Sequence, residues 1–338
     1  MTMKIENHTM FDVVALPLVG PRGDNLLTVI VKGTFTFDNG HSHPADEQLP
    51  IEYGDCQYPP ELGGGVRYES DVVAFKPRTD IVLNATAYAP DNRPTESVPV
   101  AVKVGSIEKR LLVFGERYWN HSGLFRNKYV ITATKPFVRQ PIIYAHAYGG
   151  IDPVSGSYCA ENLVGTGCYG LKPQQNLAGK PLPRIEDPRC LIKNVEDRPT
   201  PAGFGFYHRS WQPRAGFAGT YDDNWRQHRC PLPPEDFDAR FNNGAHPDLQ
   251  ANGYLKGGES VELHNLTPQG RCAFSLARVP LACRLVGLEK PQLIAMNLDT
   301  LFIEPDEHRY CLVWRAAAEL PDPDASGFDA VHIGIMKK

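Results

Sequence analysis

The chain has 338 residues, 42% of them hydrophobic and 22% charged, with a formal net charge of -4. That length buries a sizeable core unaided, and the mild acidity excludes the basic excess that a nucleic-acid backbone demands. No stretch approaches the roughly 20 apolar residues of a membrane-spanning helix.

The opening segment "MTMKIENHTMFDVVALPLVG" carries one lysine, and its apolar run is broken by Asp12 and Pro17. It does not read as a secretion signal, so a cytoplasmic protein is expected. Eight cysteines lie at irregular spacings without a C-x-x-C pair, which predicts reduced thiols and neither disulfides nor a cysteine zinc site.

The first third is written in period two. In "TVIVKGTFTF", Val29, Val31, Phe35 and Phe37 share one face, and Thr28, Lys32, Thr34 and Thr36 the other, the pattern of a half-buried strand. "DIVLNATAY" repeats the device with Ile81, Leu83, Ala85 and Ala87. "VPVAVKV", a turn at Gly105 and "KRLLVFG" predict a hairpin with Val98, Val100, Val102 and Val104 inward.

Between Gly149 and Phe241 the periodicity disappears, and 11 glycines and 11 prolines fall within 93 residues. Turn chemistry holds such a segment irregular, while its many aromatics argue that it is ordered, since Phe204, Phe206, Tyr207 and Trp211 would otherwise sit in water. "AGFAGTYDDNW", residues 215 to 225, fits neither helix nor strand. "LPPEDFDARFNN" predicts one short helix, opened by prolines and acids, with Phe237 and Phe241 stacked at i,i+4.

The last third returns to period two in "ESVELHNL", "RCAFSL", "ACRLVGL", "NLDTLFI" and "YCLVWRA". The fold expectation is all-β: an antiparallel β-sandwich with a long ordered central region and helix below about a fifth of the chain. It divides into an N-terminal β-module at 1–148, an irregular aromatic-rich region at 149–254, and strands at 255–338 that pack on the N-terminal module.

Chemistry-bearing patterns are sparse. There is no G-x-S-x-G turn. His41 and His43, with Cys56 nearby, lack a tetrahedral zinc signature. Asp222, Asp223, Glu235, Asp236 and Asp238 stand among aromatics, as glycoside chemistry requires, yet capping and first-turn roles explain Asp222, Asp236 and Asp238 equally well. Arg78, Arg214 and Arg240 each lie close to acids or aromatics, which points first to buried ion pairs that fix the loop and only second to a phosphate site, since no glycine-rich loop opens a helix.

Eight pieces then occur in order: "KGTF" at 32–35, "SDVVAFKPRTDIVLNATAYAP" at 70–90, "VFGERYW" at 113–119, "PFVRQPIIYAHAYGG" at 136–150, "PAGFG" at 201–205, "SWQPRAGFAGTYDDNW" at 210–225, "LPPEDFDARFNNGAHPDLQ" at 232–250 and "LKGGESVELHNLTPQG" at 255–270. Over most of the chain this series resembles the type VI secretion accessory family, effector adaptors or chaperones that carry domain of unknown function 2169. The resemblance implies a protein that catalyses no reaction, takes no cofactor or metal, and binds an effector toxin or PAAR-type tip protein for loading onto the VgrG spike. Trp211, Arg214, Phe217, Tyr221, Trp225, Phe237 and Phe241 are the candidate partner-binding residues, with a satellite core beneath the loop as the other reading of the aromatics. A carbohydrate-active or carbohydrate-binding β-sandwich is the alternative function.

Overall fold

The computed structural model describes residues 3–38, 40–123, 125–170, 176–287, 291–320 and 328–336. Strand accounts for 41% and helix for 10%, so the all-β expectation holds. Leu288, at the end of the predicted "ACRLVGL" strand, lies outside the described residues; the strand itself spans Leu281–Val286.

Three sheets carry the structure. The largest runs in the order Asp12–Val19, Asn25–Asp38, Arg309–Glu319, Asn297–Glu304 and Asp80–Leu83, with His41–Pro44 added alongside Asn25–Asp38. All its pairs are antiparallel except Asp80–Leu83 against Asn297–Glu304. The second is antiparallel throughout, in the order Ile185–Glu186, Ile107–Phe114, Ser97–Val104, Ser260–His264 and Arg271–Ser275. The third holds Lys4–Asn7, Ala330–Ile335, Leu281–Val286 and Gln292–Ala295. N-terminal and C-terminal strands are thus hydrogen-bonded side by side within each sheet.

The core joins the first two sheets. Val98, Val100, Val102 and Val104 are buried, as the hairpin pattern predicts. Phe37 of the first sheet stacks on Phe274 of the second at 4.2 Å between ring centroids, and Tyr310 meets Phe35 at 5.2 Å and Phe274 at 5.4 Å. Each such fully buried side chain contributes about 1.5–3 kcal/mol, so this aromatic column is a principal tie between the layers.

The strand Asn25–Asp38 departs from the half-buried expectation. Thr28, Ile30, Lys32 and Thr34 are buried as well. The segment after His41–Pro44 covers that second face: Ile30 packs with Ile51 and Val313, the Lys32 ammonium meets Asp71 at 2.9 Å, and the Thr34 hydroxyl accepts from the Leu49 amide. Alternation signalled two chemically different faces, and the polar one found partners instead of water.

"DIVLNATAY" is also divided. Asp80–Leu83 is wholly buried in the large sheet, whereas Thr86–Tyr88 pairs with Arg139–Pro141 elsewhere.

The helix expectation shifts by a few residues. The single α-helix among the described residues is Asp223–His228, within and just beyond the stretch read as neither helix nor strand. Asp222 caps it, its carboxylate accepting the Trp225 amide at 2.8 Å, which is the N-cap chemistry that satisfies an orphan donor. The predicted helix at 232–243 reduces to one 3-10 turn, Ala239–Asn242, capped by Asp238. Asp236 is drawn away to Thr220, accepting from both its amide and its hydroxyl, so it cannot serve the first turn of a helix.

Candidate functional site

The irregular region is held rigidly by charge buried beneath it. Asp80, fully buried, pairs with Lys76 at 2.9 Å and accepts from the Asn243 side-chain amide and from the backbone of Gly244 and Ala245 at 2.9–3.2 Å. Burial opposes the charge of Lys76, but Asp80, Asp299 and Glu69 outweigh it and hold its pKa above the ordinary value. One carboxylate therefore fastens the chain at 243–245 to the edge of the large sheet.

Glu69 and Arg214 form the second anchor. Their ion pair is 2.7 Å long and almost wholly buried, and Arg209 adds a bond to the same carboxylate at 3.0 Å. Arg214 also donates to the carbonyls of Tyr207 and Phe241, so a single guanidinium joins two distant parts of the region. Gly244 permits this approach: a Cβ there would collide with the Glu69 carboxylate.

The expected partner-binding residues separate into two groups. Trp211 is 2% exposed and packs edge-on against Tyr144 and Tyr207; with Arg214 it supports the region from within and offers no surface. Phe217, Trp225, Phe237 and Phe241 are half-buried and Tyr221 is 55% exposed. Tyr221 meets Trp225 at 4.6 Å, the Trp225 indole donates to Leu232, Phe237 meets Phe241 at 5.9 Å, and the Arg240 guanidinium lies 4.2 Å above the Phe217 ring. The result is a strip of aromatic faces and cations open to solvent on one side.

Asp222 and Asp223 do not pair with Arg214. The first is the helix cap, and the second makes an exposed ion pair with Arg226 at 2.9 Å. His41, His43 and Cys56 are not gathered into a ligand group; among the described residues the grouping of that kind is Glu6 and His332, on neighbouring strands of the third sheet, with His8 just beyond the end of the first.

A polar cleft adjoins the strip, and the sequence did not disclose it. A cavity of about 600 Å³ is lined by Lys109, Arg189, His246 and Asp248 among others, and it opens into a second of about 380 Å³ that shares Lys109, Asp187, Arg189 and Asp248. Lys109, although almost fully buried, reaches Asp248 at 2.9 Å and lies 3.5 Å from the His246 ring. Burial lowers the pKa of Lys109 against the pull of Asp248. Asp187 is held below the usual carboxylate range by its hydrogen bond from Arg189. Residues 109 and 248 are remote in sequence and carry no local signal of their meeting. A third cavity, of about 250 Å³, shares Tyr207, Pro213 and Pro247 with the 600 Å³ cavity and extends to Arg78, Phe217 and Arg240. The cleft and this extension thus form a groove that reaches the edge of the aromatic strip at Phe217 and Arg240.

His246 gives this groove a measurable pH signature. Burial first, then the Lys109 charge, lowers its pKa to about 4, and its Nδ1 accepts the Asp248 amide. The folded state keeps the ring neutral while the unfolded chain takes a proton near 6.5. Stability should thus be unaffected above that pH and fall by up to about 3 kcal/mol between pH 6.5 and 4. Urea melts of the protein and of His246→Gln across that window test it: the variant should lose the part of the slope that belongs to this ring.

Fold and groove together define an all-β scaffold bearing an ordered aromatic and polar recess. Residues 22–315 match a family described as an uncharacterized protein conserved in bacteria, DUF2169, and the chain belongs to that family. No curated protein and no solved structure matches the chain. Among the described residues no helix is long and apolar enough to cross a membrane.

Proposed function

We propose that the protein is a type VI secretion adaptor or chaperone, which holds an effector toxin or a PAAR-type tip protein in the cytoplasm and presents it for loading onto the VgrG spike. The observation that carries this reading is the solvent-facing strip of Phe217, Tyr221, Trp225, Phe237 and Phe241 on a segment locked in place by the Glu69–Arg214 and Lys76–Asp80 pairs. Pre-ordered aromatics offer large contact area at little entropic cost on binding. The ordered series of sequence pieces that resembles the secretion accessory proteins supplies the biological setting.

The protein acts in this reading by binding alone. An adaptor that stays behind has to release its client, so a transient interface of moderate affinity is expected. Co-expression with the neighbouring PAAR or effector gene, followed by affinity purification and light scattering, tests it. A stoichiometric complex is the expected result. Absence of any complex with each gene product of such a cluster would reject the reading.

A further inference from the structure

The third sheet gathers side chains that the client surface does not use. Lys4–Asn7 is its edge strand and pairs in parallel with Ala330–Ile335, in a register that sets Glu6 directly beside His332. Val331 and Ile333 are fully buried, so alternation turns His332 to the opposite face, where it is partly open to solvent. His8, two residues after Glu6, continues the line on that face, and its amide donates to the Ile333 carbonyl, which keeps it alongside the same strand. Gly334 follows His332 on this face; a Cβ there would meet nothing within 4 Å, so that flank of the cluster is uncrowded.

One ligand atom each from Glu6, His8 and His332 lies within 4.8 Å of the other two, and Glu6 Oε2 is 3.3 Å from His332 Nδ1. Tetrahedral bonds of about 2.0–2.2 Å place zinc ligands roughly 3.3–3.6 Å apart, so small rotations of solvent-facing side chains close the set on one ion. Two imidazoles and a carboxylate are donors that zinc-type ions take, with water completing the shell. The Lys4 ammonium holds the other carboxylate oxygen, Oε1, at 2.7 Å, as an outer contact that orients a ligating carboxylate does. That bond first, and the charge of His332 after it, hold the Glu6 pKa below the ordinary value, so the group is ionised as a ligand must be. An ion pair between Glu6 and His332 would leave His8 without a role, whereas a metal uses all three. Arg284, opposite His332 in the next strand, is exposed and adds positive charge to this face, so moderate affinity is expected.

We infer that Glu6, His8 and His332 form a site for a divalent transition ion of the zinc type, which fastens the edge strand Lys4–Asn7 to Ala330–Ile335. All three residues lie outside the span 22–315 that matches the family, and the inference is independent of the client reading.

The test uses the tag-free full chain with its accessible thiols alkylated, because Cys56, Cys190 and Cys230 are exposed and would compete for the ion. Zinc is titrated at neutral pH against a chromogenic chelator, and melting is followed with and without zinc. Stoichiometric uptake is expected, with a higher melting temperature in its presence. His8→Ala should weaken uptake by about tenfold or more and abolish the zinc-dependent rise, yet melt like the parent without metal, since the ring is exposed. Glu6→Gln and His332→Ala should weaken uptake likewise. His43→Ala, at the exposed His41 and His43 pair, should take up zinc as the parent does. No stoichiometric uptake, uptake undiminished by His8→Ala, loss in His43→Ala instead, or uptake that leaves the melting temperature unmoved would each overturn the proposal.

Discussion

Asp80→Ala is expected to cost about 3–5 kcal/mol of stability, because it strands the buried ammonium of Lys76 in a site that cannot hydrate it. The same change orphans the Asn243 amide and the backbone donors of Gly244 and Ala245, each a desolvated group whose partner is lost. Lys76→Met in the same chain should recover part of the loss, since it removes the uncompensated charge. Urea unfolding of the single and double variants measures this. A loss below about 1 kcal/mol for Asp80→Ala would show that Asp80 does not anchor the central region.

Trp225→Ala should separate binding from folding. The ring is half-buried on a one-and-a-half-turn helix and packs on an exposed tyrosine, so a stability loss below about 2 kcal/mol is expected. Client capture should weaken by about 2 kcal/mol or more, roughly thirtyfold, as for a central aromatic anchor. Trp211→Ala provides the contrast: from the core it should cost about 3–5 kcal/mol and lose capture only through unfolding. Asp222→Asn retains the cap, since asparagine serves that position as well, and Asp223→Asn removes only an exposed pair; both should leave capture near normal. Trp225→Ala with undiminished capture would take this ring out of the interface.

The sequence disclosed the strands wherever one face was apolar, and the four valines of the Ser97–Val104 hairpin lie inward as their alternation required. It could not show that the polar face of Asn25–Asp38 would also be covered, because Thr28, Lys32 and Thr34 are satisfied by a loop whose path no local pattern encodes. Nor could it order the strands, which pair across most of the chain, as Thr36 does with Arg309.

The candidate site was legible in part for a related reason. Aromatics without periodicity marked residues 211–241 as ordered, but spacing cannot tell Trp211, in the core, from Tyr221, in solvent. That distinction is made by Tyr144 and Tyr207, which close over Trp211 from other parts of the chain. The short helix was misplaced because the same acids suit two neighbouring caps; Asp222 took the α-helix, and Asp236 was claimed by Thr220. Lys109 and Asp248 read as ordinary strand and loop residues, and only folding brings their charges to 2.9 Å.

The central claim is that the strip from Phe217 to Phe241 is where a protein client sits. Amide hydrogen exchange of the protein alone and in complex with its co-expressed client tests this most directly. Protection on complex formation should appear in peptides covering residues 214–242 and in the adjoining Pro247 segment. Unchanged exchange there, with protection confined to an edge strand such as Gln292–Ala295, would place the client elsewhere and contradict the account.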